Sequence, residues 1–179
     1  MSTTARKDLT HLCRALKTPS LLASIDRLAN RARDESWTHE EFLAACLERE
    51  LSSRQTHGGD NRIKAARFPA HKTLENFDFS YQRSVRKEVV SHLGALDFVE
   101  AKDNIIFLGL PGTGKSHLAI ALGIRACQAG HRVAFATAAQ WVDRLGEAHH
   151  KGLLHDELVR LGRTPLLIID EVGYIPFEA

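Results

Sequence analysis

The sequence is poor in the residues that staple small domains or build fibres. Among 179 residues there are three cysteines, five prolines and 12 glycines, which excludes a disulfide scaffold and a collagen-like repeat. Cys13, Cys46 and Cys127 are odd in number, far apart and without metal-ligand spacing. Thiols in that pattern fit a reducing cytoplasm. Long apolar runs are missing too: Leu166–Ile169, the cleanest, falls far short of a bilayer span, so no membrane role is expected. The opening residues Met1–Asp8 hold no apolar stretch ahead of a small-residue site, so no export signal is expected. Aromatics are only 7%, but hydrophobic residues reach 44% and charged residues 26%. That balance supplies a core and excludes a wholly disordered chain. At about 150 residues per domain, the length suits one domain with a small appendage.

Positive charge is scarce in the second half. Residues 1–87 hold 16 Lys and Arg against 11 Asp and Glu, while residues 88–179 hold eight against 11. The front half is therefore the part able to offer a basic face to nucleic acid, or simply an Arg-rich solvated helical surface.

That front half reads as helices. Leu9, Leu12 and Leu16 recur at helical spacing, and after Thr18-Pro19 a second amphipathic stretch carries Leu21, Leu22, Ile25, Leu28 and Ala32. Thr38 and Glu41 form a capping box, with Trp37 and Phe42 at the positions of a hydrophobic staple. Leu43, Leu47 and Leu51 continue one face of that third helix, and His57-Gly58-Gly59-Asp60 reads as a turn. These stripes are expected to pack against one another or against a partner. A domain boundary is expected near residue 70, giving segments 1–70 and 71–179. Beyond Phe77-Asp78-Phe79-Ser80, a helix is expected with Val85, Val89, Leu93 and Leu96 on one face.

The period then changes. Asn104–Leu108, Arg132–Ala136 and Pro165–Asp170 are short apolar runs separated by helical patterns. Such alternation predicts βαβ units and an α/β fold whose parallel sheet is covered on both faces.

Gly109-Leu110-Pro111-Gly112-Thr113-Gly114-Lys115-Ser116 fits the phosphate-loop pattern G-x-x-x-x-G-K-[ST] at every position. A polyphosphate needs many donors in a small volume. A loop wrapped around it supplies backbone N–H groups, and glycines let the chain come close. The following helix offers its positive end to the same anion. Lys115 would bridge the β- and γ-phosphates and the Ser116 hydroxyl would ligate Mg²⁺. Pro111, Thr113 and the adjoining His117 are grouped with the loop as candidate nucleotide contacts, although His117 by itself also reads as a packing residue. Leu166–Ile169 ends in Asp170 and Glu171. Ligands of parallel sheets lie at the carboxyl ends of strands. Asp170 is thus expected beside the loop, holding Mg²⁺ through a water, with Glu171 placed to polarise the water that attacks the γ-phosphate.

Other residues read more plainly. His149, His150 and His155 lack a completing zinc pattern and are expected on an exposed surface. Gln140, Trp141 and Arg144 could face DNA or a neighbouring subunit, though Trp141 spaced with Leu145 reads as core. Phe77 and Phe79 could border an adenine or act as structural anchors.

Taken together, Lys72–Phe79, Asn104–Ala119 and Leu167–Tyr174 resemble the IstB-like ATP-binding proteins, helper ATPases of a bacterial insertion-sequence transposition system that are similar to replicative helicase loaders. The resemblance covers most of the chain. It implies a P-loop NTPase of the AAA+ type behind a small all-α N-terminal domain that contributes to oligomer and DNA contacts. It implies self-association, double-stranded DNA and a cognate transposase as partners, and ATP with Mg²⁺ as ligands. Gly109, Gly112, Gly114, Lys115 and Ser116 carry over as nucleotide and magnesium contacts, Asp170 as the magnesium carboxylate and Glu171 as the hydrolytic base. Members of that family run on with a sensor strand, an arginine finger and a lid, so the sequence resembles a C-terminally truncated member whose sheet is incomplete and whose turnover is slow. A helicase loader acting on single-stranded DNA, and a non-hydrolysing remnant that binds nucleotide or intact subunits, are the alternative expectations.

Overall fold

The computed structural model describes residues 3–174; residues 1–2 and 175–179, the outer ends of segments 1–70 and 71–179, lie outside the described residues. Contacts divide the chain into two compact units, Met1–His57 and Gly58–Ala179. The division precedes the boundary expected near residue 70, because Ala66 and Phe68 pack into the core of the second unit.

The first unit is helical: α1 (Thr3–Ala15), α2 (Pro19–Asp34) and the first part of α3 (His39–Ala66). Thr18 N–H closes α1 onto the Cys13 carbonyl at 2.8 Å, with Lys17 left-handed at φ 53°. Pro19 then opens α2, where a missing N–H costs nothing. The capping box on α3 forms as expected: Glu41 N–H donates to Thr38 Oγ1 at 3.2 Å, and Thr38 N–H to Glu41 Oε2 at 2.7 Å.

The inward face of α3 differs from the leucine stripe. Leu43, Leu47 and Leu51 are exposed, whereas Cys46 and Glu50 are buried. Glu50 decides the rotation. Its Oε2 accepts the N–H groups of Ser20 and Leu21 at 3.0 Å each, and Oε1 accepts Arg54 Nε at 3.0 Å. The carboxylate fills the N-terminus of α2 and turns the leucine stripe to solvent.

The second unit starts with the end of α3. His57-Gly58-Gly59-Asp60, expected as a turn, is helical. Glycine serves close approach here: a Cβ at Gly59 would lie 3.4 Å from the Cα of Gln128. After an irregular stretch come α4 (Lys87–Leu93) and α5 (Asp97–Ala101). The single helix expected over Val85–Leu96 is broken, since Leu96 adopts φ 70°; Val90, not Val89, is the buried valine. Then follow α6 (Lys115–Gln128), β1 (Val133–Thr137), α7 (Ala138–His150), α8 (Leu154–Gly162), β2 (Leu166–Asp170) and one 3-10 turn (Val172–Tyr174).

Strands β1 and β2 pair in parallel, in register from Val133 opposite Leu166 to Thr137 opposite Asp170. α6 is apolar nearly all round and buries Leu118, Ile120, Ala121, Leu122 and Ile124, as a helix inside a core must. Gly123 lets it seat: a Cβ there would meet Ile168 Cδ1 at 2.7 Å and Phe68 Cε1 at 2.8 Å.

Two further sequence expectations are corrected. Asn104–Leu108 is not a strand; the stretch 103–110 has no ladder among the described residues, and Ile106, Leu108 and Leu110 are exposed. An apolar run has strand propensity, but only a hydrogen-bonded neighbour makes it a strand. Nor is β2 covered on both faces, although every residue of β1 is at least half-buried. Ile168 is buried while its alternating neighbours Leu167 and Ile169 are exposed.

Candidate functional site

The site is built where α6 begins. Gly112 and Gly114 have φ of 78° and 86°, a left-handed conformation that costs a side chain roughly 1–2 kcal/mol. Gly114 is the N-cap of α6 and makes no side-chain cap. The first helical bond runs from Leu118 N–H to the Gly114 carbonyl at 3.0 Å. The amides of Lys115, Ser116 and His117 are therefore the open first-turn donors of the helix. A Cβ at Gly112 would meet nothing within 4 Å, so the loop leaves room for a ligand there.

The charged groups converge on the same turn. Lys115 Nζ donates to the carbonyls of Gly109 and Leu110 at 2.9 and 2.8 Å, so its ammonium spans the loop. Thr113 Oγ1 donates to the Leu110 carbonyl at 2.8 Å and braces the same bend. Ser116 Oγ donates to Asp170 Oδ1 at 2.9 Å, across 54 positions of sequence. That bond joins the phosphate loop to the end of β2. Asp170 Oδ1 also accepts the Glu171 N–H at 3.1 Å. Glu171 is exposed, at φ 59°, one residue past the strand. Pro111 lies on the exposed crest of the loop.

His117 sits beside the loop, yet its polar contact lies elsewhere: Nε2 is 2.8 Å from the Thr73 carbonyl oxygen. Phe77 is buried with Val90 and Leu118, and Phe79 meets it edge-on at 4.9 Å. Both phenylalanines line a cleft of about 450 Å³ with Leu74, Glu75, Lys87 and Arg125. A second cleft, of about 280 Å³, opens onto Gly109, Leu110, Thr113 and Lys115. Its far wall is Gln82, Ser84 and Val85. Val85 is expected only as part of a helix face, and Gln82 and Ser84 sit in a polar stretch that carries no motif.

The remaining candidates are structural. Gln140 completes a capping box with Thr137 on α7. Trp141 is buried and donates Nε1–H to the Ile168 carbonyl at 3.3 Å. Arg144 lies over the Trp141 ring at 4.9 Å and pairs with Glu157 at 2.6 Å. No group of three His, Cys, Asp or Glu able to hold a metal occurs among the described residues. A divalent cation here would depend on Ser116, Asp170 and the phosphate oxygens themselves. Burial pushes the Cys127 thiol up to about 11 against the smaller opposing effect of Arg62, which leaves it an inert core group. No helix among the described residues is long and apolar enough to cross a membrane.

The family model described as "IstB-like ATP binding protein" matches residues 11–179. The "Insertion sequence IS21 putative ATP-binding protein" of Pseudomonas aeruginosa is 40% identical over 171 residues, covering 96% of this chain and 64% of that protein. The corresponding protein of insertion sequence IS5376 from Geobacillus stearothermophilus is 36% identical over 166 residues, covering 93% and 66%. The chain thus spans just under two thirds of the length of these relatives. By the match along its length and the loop it carries, the chain belongs to the IstB-like ATP-binding family.

Proposed function

We propose that this chain binds ATP with Mg²⁺ at the N-terminus of α6 and forms the nucleotide-binding part of an AAA+ type helper ATPase for transposition. The observation that carries the reading is the 2.9 Å bond between Ser116 and Asp170 beside uncapped helix amides. A hydroxyl and a carboxylate, brought together from distant sequence next to a lysine, are the donor set that a magnesium-bound triphosphate needs.

Each residue then has a task. The amides of residues 112–117 receive the phosphate oxygens. Lys115 exchanges its bonds to the Gly109 and Leu110 carbonyls for the β- and γ-phosphates. Ser116 and Asp170 hold the cation, which when bound neutralises charge developing on the phosphates. Glu171, exposed at the surface, accepts the proton of the attacking water. The cleft bounded by Gln82, Ser84 and Val85 has apolar walls from Phe107, Leu108 and Leu118, with Gln82 and Ser84 as hydrogen-bonding side chains on the side away from Thr113 and Lys115, which suits a purine. Phe77 and Phe79 line the other cleft and serve as anchors.

For the whole protein we infer hydrolysis that depends on double-stranded DNA, self-association, target capture and stimulation of a cognate transposase in the cytoplasm. Helices α1 to α3 would supply the small all-α domain for oligomer and DNA contacts. The names of the relatives place them in insertion sequences as ATP-binding proteins, which supports that setting. Calorimetry tests the first step: ATP and ADP bind with one site per chain, and AMP binds far more weakly. Equal binding of AMP and ATP contradicts it. Phosphate release by the full-length protein, with double-stranded DNA, single-stranded DNA or none, tests the second. Stimulation by single-stranded DNA alone would favour a helicase-loader role.

A further inference from the structure

His117 makes contacts that a phosphate ligand would not require. A carbonyl oxygen only accepts, so the Nε2 atom 2.8 Å from Thr73 carries the proton and donates. The same imidazole meets the Phe77 ring edge-on, with centroids 5.4 Å apart and planes at 81°. Phe77 in turn lies against bare Gly114: a Cβ there would stand 2.6 Å from Phe77 Cε2 and 3.3 Å from Cζ. Gly114 is the left-handed residue at which the loop turns into α6. An unbroken line of contact therefore runs from the Thr73 carbonyl through His117 and Phe77 to the pivot of the loop. The segment carrying Phe77 is itself stiffened at its next residue. Asp78 Oδ1 accepts Ser80 N–H at 2.8 Å, Ser80 Oγ at 2.6 Å and Tyr81 N–H at 3.1 Å.

We propose that His117 is a positioning residue of the phosphate loop. By tying the segment 73–79 to the first turn of α6, it presses Phe77 onto Gly114 and holds the loop in its receiving conformation. Its value to nucleotide affinity rests on the ATP-binding reading above, whereas its hold on the loop does not. Packing alone would ask only for volume at position 117. The hydrogen bond asks for a donor at the reach of Nε2, which glutamine supplies and leucine does not.

The test is hydrogen exchange on the ligand-free chain, read for a peptide covering Leu118–Leu122, the first hydrogen-bonded amides of α6, together with ATP affinity by calorimetry. H117L is expected to speed exchange of that peptide about fivefold, the factor set by losing one ordinary hydrogen bond. H117Q stays near the wild type, and peptides from β1 and β2 do not change in either variant. F77L, which keeps His117 but removes the ring from Gly114, gives the same local loosening. ATP affinity falls with H117L and F77L and returns with H117Q. Exchange in H117L equal to wild type overturns the proposal, as does H117Q exchanging as fast as H117L, or acceleration spread evenly over residues 58–174. If wild-type protein binds no ATP, the nucleotide reading fails, while the exchange pattern still decides whether His117 holds the loop.

Discussion

The N-termini of α2 and α6 pose the same electrostatic problem and answer it in opposite ways. Each presents a turn of unpaired amides and the positive end of a helix dipole. At α2 the chain supplies its own anion: Glu50 is buried and takes the Ser20 and Leu21 amides. At α6 no side chain caps, and the turn is entered through left-handed glycines with space beside Gly112. The first end is closed and structural. The second is open, and its nearest charged groups are Lys115 and the Ser116–Asp170 pair. α7 follows the commoner solution, with Thr137 and Gln140 in a capping box. α4, α5 and α8 also start without a side-chain cap; what sets α6 apart is the entry through left-handed glycines beside Lys115 and the Ser116–Asp170 pair.

The comparison can be broken at the open end first. Lys115→Ala removes a cation that would bond two phosphates, and a charge-assisted hydrogen bond contributes about 1.5–3 kcal/mol. Nucleotide affinity is expected to fall roughly 10- to 100-fold by calorimetry, with the thermal midpoint nearly unchanged. Next in size is a paired substitution that separates backbone strain from collision. G112A pays roughly 1–2 kcal/mol for a left-handed alanine. G114A pays the same and also drives a methyl into the Phe77 ring, so chemical denaturation should rank it clearly below G112A.

The closed end responds in stability, not in binding. Glu50→Ala leaves two amides and Arg54 without their carboxylate and should cost about 1–2 kcal/mol in helical unfolding, with no effect on ATP affinity. The pH dependence has a defined sign. Burial alone would push the Glu50 carboxyl up, but hydrogen bonds from Leu21, Arg54 and Ser20 outweigh it and hold it below the usual carboxylate range. A carboxyl lowered by folding stabilises above its unfolded pKa and loses that contribution as pH falls through the folded value. The stability gap between wild type and E50Q should therefore be full at neutral pH and close below the usual carboxylate range. The smallest expected effect is Thr137→Ala on α7, about 1 kcal/mol in unfolding, from one lost capping bond.

The same contrast explains what could be read in the chain. The phosphate loop was legible because every position answers to local chemistry: glycine for left-handed turns, lysine for charge, serine for a cation. Asp170 was legible because a parallel strand delivers its end to that edge. The capping box at Thr38 follows from side-chain reach alone, whereas the one at Thr137 was missed because Gln140, its second member, reads equally well as a surface contact. The inward face of α3 was not legible, since hydropathy ranks Leu43, Leu47 and Leu51 above Glu50, and only a distant helix end reveals what the carboxylate is for. The tie from His117 to Thr73 was hidden because its acceptor is a backbone carbonyl, which has no residue-type signature. Asn104–Leu108 looked like a strand because apolar runs report burial tendency and not the presence of a neighbour.

The most direct test of an open α6 and a closed α2 is an amide-resolved NMR titration with ATP and Mg²⁺. The account predicts the largest shifts at Gly112–His117, with the Ser20 and Leu21 amides unmoved. Saturable binding that leaves Gly112–His117 unperturbed would contradict it.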